Sequence, residues 1–315
     1  MKQTQTRSTK AEGWTFGVEI ECLIPNEQIR SLGIRIGSYH HGVQLPGPFP
    51  TGWTAEHDAS VSSTQSGYTG LEIVSPILQG RAGIEQVKQV AESLNEMGAR
   101  VNRGCGFHVH VGAEIAAGGH PWVAEWVAKL LYQTAMHETA IYASTGTRRR
   151  ETGSYSTSIK AQQEDADRIR KATTPDRKRE ELSWVASRAG RRHSLNLTNL
   201  FSHKATVEFR AFAGTTEWQK MLGHIQMCLA LCERARETAR MDWNAMASRR
   251  TYQGKGEGQR ALQRFFYLAG WTMGRRQVKE PEVHMAGWIA SLEDLDAVKH
   301  ELMRLAKKYD EAGGF

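Results

Sequence analysis

Four short apolar segments of this chain carry acids, imidazoles or a guanidinium at every second position, and that pattern restricts the fold more than any other feature. They are GVEIE (17–21), GLEIVSP (70–76), CGFHVHV (105–111) and TVEFRAF (206–212). A period of two is that of a β-strand, whose successive side chains point to opposite faces. Glu19 and Glu21 therefore share one face, roughly 6.5–7 Å apart. His108 and His110 share a face in the same way, as do Glu208 and Arg210, while Glu72 stands between Leu71 and Ile73. Two carboxylates aligned on an apolar strand repel each other unless a cation lies between them.

Each pattern alone has a plain structural explanation. An ExE pair suits the solvent face of an edge strand, an HxH is commonly structural, and Glu208 with Arg210 could be a surface ion pair. Four such segments together predict a sheet with one polar face, gathering carboxylates and imidazoles in one bowl. Oxygen-rich donors with a minority of imidazole suit Mg²⁺ or Mn²⁺ rather than zinc. Two such ions about 3.5–4 Å apart, with an arginine, suit the charge on a transferring phosphoryl group. No GxxxxGK[ST] and no kinase-type glycine loop is present, so metals and arginines would have to hold the phosphates.

The rest of the chain mixes strands and helices without strict alternation. Residues 14–24 read as a strand, and the Gly/Pro-rich stretch after it as irregular loop. WTAEHDASV (53–61) reads as a strand ending in a turn, and Pro76 closes the next. Ile84, Val87, Val90, Leu94 and Met97 fall at helical spacing, with Gly98 as the stop. GARVNRGCGFHVHVG gives one or two strands. Pro121 opens a helix running to about Tyr142. Further helices are predicted near 160–171, 175–188 and 217–241, and strands over HSLNLTNLF (193–201) and from residue 205. The last part reads as helical around a GKGEG interruption (254–258). The expected architecture is α+β, a largely antiparallel sheet with flanking helices.

Charge adds one asymmetry. The net charge is +7, and residues 145–192 hold 13 Lys and Arg against 7 Asp and Glu. Such a concentration points to an anionic partner or a solvated helical surface. Three arginines in the Gly/Ser/Thr-rich segment 145–160 suggest a lid over an acidic ligand. No stretch approaches the ~20 apolar residues of a membrane helix, and the polar first 13 residues read as a flexible tail without a secretory signal. A cytoplasmic placement is expected. The four cysteines fit reduced core thiols better than a zinc site.

The order of motifs resembles the amidoligase family, a branch of the superfamily containing glutamine synthetase and glutamate–cysteine ligase. The matching pieces are FGVEIE (16–21), EHDASVS (56–62), GLEIVSPIL (70–78), GARVNRGCGFHVHVG (98–112), RRHSLNLTNL (191–200) and TVEFRAFAGT (206–215). The resemblance implies a curved, funnel-like antiparallel sheet of the glutamine-synthetase catalytic type, with ATP entering one end and a carboxylate substrate the other. It implies two or three Mg²⁺ (or Mn²⁺) ions at the waist, Glu19 binding one with His108 and Glu208, and Glu21 and Glu72 binding another. Glu19, Glu21, Glu208 and Arg210 would be the catalytic set. Arg210 would neutralise the transferring phosphate with Arg191 or Arg192 assisting, and His110 and Arg148 would also lie against phosphate. Asp58, Ser60, Asn196 and Arg149 would face nucleotide or substrate.

The implied activity is ATP-dependent joining of a carboxylate to an amine, on small-molecule or peptide substrates. Residues 14–241 would form the catalytic domain with the basic insert at 145–192, and 242–315 a helical extension packed on it. The chain is shorter than glutamine synthetase and shows no separate N-terminal β-grasp segment, so the sequence specifies no oligomer. Two other classes remain in view. A metal-dependent amide or phosphoester hydrolase would share the acids without needing ATP. A basic nucleic-acid- or peptide-binding protein would show steep salt dependence, although no nucleic-acid motif is present.

Overall fold

The structure is a computed structural model that describes residues 13–61, 65–113, 120–154, 156–159, 162–242, 256–272 and 285–312. Residues 1–12 of the expected tail (1–13), residues 155, 160 and 161 of the basic segment, and residues 243–255, 273–284 and 313–315 of the expected helical extension lie outside the described residues.

The elements in chain order are β1 (Thr15–Pro25), α1 (Asn26–Leu32), β2 (Val43–Gln44), β3 (Thr54–Glu56), β4 (Tyr68–Val74), β5 (Leu78–Gln79), α2 (Gly80–Glu96), β6 (Gly106–Gly112), α3 (His120–Ala143), α4 (Arg149–Thr152), α5 (Gln163–Lys171), α6 (Pro175–Ala189), β7 (Leu195–Asn196), β8 (Thr206–Ala213), α7 (Trp218–Glu237), α8 (Glu257–Leu268) and α9 (Leu292–Glu311). One sheet runs in the order β2-β3-β4-β1-β6-β8-β7, with β5 pairing separately with β1. Every named pairing is antiparallel. The fold is thus α+β with an open, antiparallel sheet and helices.

The apolar face of the sheet organises the core. Val18, Ile20 and Cys22 of β1, Leu71 and Ile73 of β4, Phe107, Val109 and Val111 of β6, and Val207 and Phe209 of β8 are all buried. Helix α7 packs against β6, with α2 and α3 beside it. His224 of α7 stacks on Phe212 at 4.2 Å between ring centroids. The start of β1 is anchored from the same side. Trp14 stacks on Trp126 and donates its indole N–H to Glu233 at 3.0 Å.

Local chemistry sets the helix ends. Gly98 adopts φ +70° just beyond α2, a left-handed turn that a side chain would oppose. Thr174 caps α6 by accepting from the Arg177 amide, with Pro175 in the first turn. Ser291 and Asp294 form a reciprocal capping box on α9. Leu295, Val298, Leu302 and Leu305 carry α9 into the common core.

The strands within three of the motifs are short. WTAEHDASV is a strand ending in a turn, as expected: Thr54–Glu56 is the strand, and Asp58 then accepts the Ser60 amide at 2.6 Å and turns the chain. HSLNLTNLF contributes Leu195–Asn196 and then a 3₁₀ turn over Thr198–Phe201. Asn196 starts that turn by accepting from the Thr198 amide at 2.9 Å. Of GARVNRGCGFHVHVG, only Gly106–Gly112 is strand, apart from an isolated bridge between Leu23 and Arg100.

β8 also departs from simple alternation. Phe107 pairs with Phe212 while Val109 pairs with Phe209, so β8 carries one more residue than β6 over that interval. This β-bulge includes Arg210. Bulges re-aim side chains and are frequent beside active sites.

Candidate active site

Strand register assembles the polar face. Glu21 is opposite Glu72, and Glu72 is opposite Glu56, so three carboxylates lie in a row across β1, β4 and β3. Glu19 is opposite His108. His110 is opposite Glu208, which is opposite Asn196 on β7. All of these except Glu19 are buried, and the Glu19 side chain is only 14% exposed.

His108 sits at the centre. Its Nδ1 is 3.2 Å from Glu19 Oε2 and 3.6 Å from Glu208 Oε1, and its Nε2 is 3.6 Å from Glu21 Oε1. His110 Nε2 lies 3.1 Å from Glu19 Oε1 but off the line of a good hydrogen bond, and its Nδ1 meets Thr206 Oγ1 at 3.2 Å. Asn196 donates to Glu208 Oε2 at 2.7 Å, and Arg210 Nη1 pairs closely with Glu208 Oε1. The Gly106 amide donates to Glu21 Oε2 at 2.5 Å. A Cβ at Gly106 would come within 2.7 Å of His108 Nε2 and 2.8 Å of Arg150 Nη2, which is why a glycine precedes FHVHV.

Carboxylates crowd one another here in a dry place. Burial pushes the Glu72 carboxyl well above its ordinary range, and Glu19, Glu21, Asp58 and Glu56 push it further. Burial also acts to raise Glu19, but His110 and His108 outweigh it and hold Glu19 well below the usual range. Burial acts to lower His110, yet Glu19 and Glu208 reverse this and raise it.

Among the described residues, three donor sets have ligand atoms within 4.8 Å of one another: Glu19–His110–Glu208, Glu19–Glu72–His108 and Glu21–Asp58–Glu72. The donors are carboxylate oxygens with one imidazole at most per set, which fits a hard divalent cation such as Mg²⁺ or Mn²⁺. Glu19 and Glu208 thus meet in a set with His110, while His108 joins Glu19 and Glu72. Asp58 belongs with the acids Glu21 and Glu72.

Two cavities flank the cluster. The smaller, about 110 Å³, is lined by Glu21, His108, Ser60, Ser156 and four arginines: Arg103, Arg149, Arg150 and Arg210. Burial lowers the pKa of Arg150, which donates to the Cys105 carbonyl at 2.5 Å. The larger, about 450 Å³, opens beside Glu19 and His110.

The remaining arginines divide. Arg148 is turned away from the cleft, donating to Tyr309 at 3.1 Å and to Glu151 at 3.3 Å while lying over the Tyr309 ring. It ties the basic segment to α9. Arg191 and Arg192 have exposed side chains. Burial acts to lower the Arg191 pKa, but the Tyr39 hydroxyl, Glu208 and Glu19 outweigh it and raise it. The Arg192 carbonyl accepts the Thr157 amide at 2.8 Å. Beneath this segment, buried Glu138 accepts from Ser158, the Ile159 amide and Ser194. Ser194 passes the anchorage on, its carbonyl accepting the Arg210 amide at 2.9 Å.

Sequence reasoning did not single out Glu56, Arg103 or Lys204. Glu56 was visible in the EHDASVS motif, next to Asp58. Lys204 Nζ is 3.6 Å from Glu19 Oε1, but it precedes β8 in an irregular turn where no periodicity marks it.

Among curated proteins no sequence matches the chain. In structure the chain is similar to the crystal structure of a bifunctional glutathione synthetase from Pasteurella multocida, with a TM-score of 0.49 and 9% sequence identity over 96% of this chain and 48% of that one. The chain spans about half the length of that protein. The model of one family, described as "Putative amidoligase enzyme", matches residues 12–232, and the chain belongs to that family.

Proposed function

We propose that this protein is an ATP- and Mg²⁺-dependent carboxylate–amine ligase that forms an amide bond through an acyl phosphate, on a peptide or amino-acid-like substrate. The observation that carries this reading is the run of three overlapping oxygen–imidazole donor sets along β1, ending at an arginine-lined cavity. Membership of the amidoligase family supports the bond that is formed.

Two to three divalent cations would be held by Glu19, His110 and Glu208, by Glu21, Glu72 and Asp58, and between them by Glu72, Glu19 and His108. When bound, such ions neutralise charge on phosphoryl oxygens as Lewis acids. The protein groups do the rest. Arg210, oriented by Glu208 and by the bulge in β8, faces the small cavity, where Arg103, Arg149 and Arg150 add three more guanidinium groups. These hold an anionic substrate group by charge-assisted hydrogen bonds. Asn196 fixes the orientation of Glu208.

The substrate carboxylate takes the γ-phosphoryl group of ATP, giving an acyl phosphate and ADP. The amine then attacks the acyl carbon, the C–O bond to phosphate breaks, and orthophosphate and a proton leave. The acyl phosphate must be kept from water, and the segment carrying Arg149 and Arg150, pinned through Glu138, covers that end of the cleft.

The test is release of ADP and phosphate with ATP, Mg²⁺ and a pool of amino acids, small peptides and polyamines. Release that requires both Mg²⁺ and an added substrate, with a new amide in the products, is expected. Substrate-dependent amide or ester cleavage that proceeds equally without ATP would sink the ligase reading in favour of a hydrolase.

A further inference from the structure

The small cavity takes two of its four arginines, Arg149 and Arg150, from α4, a helix of only four residues. A helix that short does not hold itself together in water, and no side chain caps its first amides. Resting on the reading above, we infer that Tyr309, on the C-terminal helix α9, is a positioning residue that sets Arg149 and Arg150 against the anionic substrate group.

The residues on either side of the pair carry the argument. Arg148 and Glu151 bracket Arg149 and Arg150, and both turn to Tyr309. The Arg148 guanidinium lies 4.0 Å from the centre of the Tyr309 ring and donates to its hydroxyl at 3.1 Å. That hydroxyl donates in turn to Glu151 Oε2 at 2.6 Å. One phenol thus accepts from a cation and donates to an anion, which a phenylalanine ring could not do. Burial, and then Glu151, push the Tyr309 hydroxyl upward, so it keeps the proton it donates. Arg148 and Glu151 also pair directly at 3.3 Å, but each is 32% exposed, and a pair of that kind fixes little by itself.

The anchor is firmly seated. Tyr309 is fully buried, and its neighbour Asp310 accepts the Gly258 and Gln259 amides at the start of α8, at 2.6 and 3.1 Å. A Cβ on Gly258 would come within 2.7 Å of Tyr309 Cδ1, and one on Gly146 within 2.9 Å of Leu305 Cδ2. Helix α9 is therefore packed against the turn that leads into Arg148. After the pair, the Arg150 carbonyl accepts from Ser156, whose own carbonyl accepts the Tyr142 hydroxyl, both at 2.7 Å. The two arginines are held from both ends. Helix α9 lies beyond residues 12–232, so the last part of the chain shapes a wall of the site instead of merely extending the core.

The test is calorimetric binding of inorganic phosphate, with Mg²⁺ present, to the full chain and to Tyr309→Phe and Leu302→Ala. Circular dichroism and Tm confirm that each variant is folded. Tyr309→Phe keeps the ring and removes only the hydroxyl. Leu302 is buried on α9 against Gly223 of α7, and its variant is the control for loosened packing alone. Losing hydrogen bonds to two charged groups predicts phosphate binding weaker by about tenfold in Tyr309→Phe, with faster amide exchange over residues 149–153. With a pooled substrate that supports ADP release, the same variant should raise KM for the carboxylate at little changed kcat. Leu302→Ala should lower Tm and leave phosphate affinity unchanged. Wild-type phosphate affinity in Tyr309→Phe, or an equal loss in Leu302→Ala, overturns this inference and leaves the ligase reading standing. Wild-type protein that binds no phosphate overturns it as well. ADP release is scored separately, so the ligase reading can fail while this inference holds.

Discussion

The two faces of the sheet are built from alternate residues of the same strands and obey opposite rules. On one face Ile20, Leu71, Phe107 and Phe209 are buried under α7 and its neighbours, and each contributes by removing apolar surface from water. On the other, Glu19, Glu21, Glu72 and Glu208 are nearly as dry but are carboxylates crowded around two imidazoles. A buried carboxylate among carboxylates costs stability. The apolar face therefore makes the fold stable, and the polar face lowers that stability to gain a site. Substitutions should separate the two.

The largest effect is expected at Glu208, which touches His108, Arg210 and Asn196. Metal-ion stabilisation of transferring charge is worth several kcal/mol, so Glu208→Gln should lower substrate-dependent ADP release by about a hundredfold or more, with Tm near wild type. Wild-type turnover in this variant would remove Glu208 from the chemistry. On the other face the outcome should reverse. Phe107→Ala should cost about 3–5 kcal/mol in urea unfolding, while the folded fraction keeps its affinity for Mn²⁺; a cost below about 1 kcal/mol would mean that the face is not the close-packed core described here.

Next comes a pH effect from within the apolar layer. His224 stacks on Phe212, donates its Nε2–H to the Ser144 carbonyl at 3.1 Å, and is pushed down to about 4 chiefly by burial. Its folded pKa lies below the unfolded value of about 6.5, so the unfolded chain takes up the proton first. Stability is fully present above pH ~6.5 and is lost as pH falls toward ~4, by on the order of 3 kcal/mol. Urea midpoints between pH ~7.5 and ~4.5 measure this, and His224→Leu should flatten that part of the profile. The smallest effect is at Glu72. Without divalent ions, Glu72→Gln should raise stability by about 1 kcal/mol, roughly 2–4 °C in Tm, because it relieves repulsion among Glu19, Glu21, Asp58 and Glu56. A drop in Tm would show that the row is held by hydrogen bonds instead.

Much of this was legible in the sequence, and particular residues show why. Period-two spacing put Glu19 with Glu21 and His108 with His110 on one face, and antiparallel register then brought the strands together. Helices marked by apolar spacing, such as Ile84 through Leu94, fell within a few residues of α2. Short-range side-chain hydrogen bonds were harder to see. Asn196 captures the Thr198 amide and ends a strand where apolar content alone suggested extension, whereas the turn that Asp58 makes was expected. The bulge at Arg210 had a signal in the spacing of its two aromatics. Strict alternation from Phe209 would put the next one two residues on, but Ala211 stands there and Phe212 follows. Lys204 had no such signal, because its position depends on the irregular turn before β8. Arg148 looked like its neighbours in RRR, yet Tyr309, 161 positions away, holds it on the other side.

The most direct test of the polar face is a Mn²⁺ titration followed by electron paramagnetic resonance, on wild type and on Glu72→Gln, both checked for fold by circular dichroism. The account predicts two or three saturable Mn²⁺ sites in the wild type, displaced by Mg²⁺, and at least one fewer in the variant. Wild-type protein with no saturable site, or a variant that binds as many ions as wild type, would contradict the claim that these carboxylates are gathered to hold divalent cations.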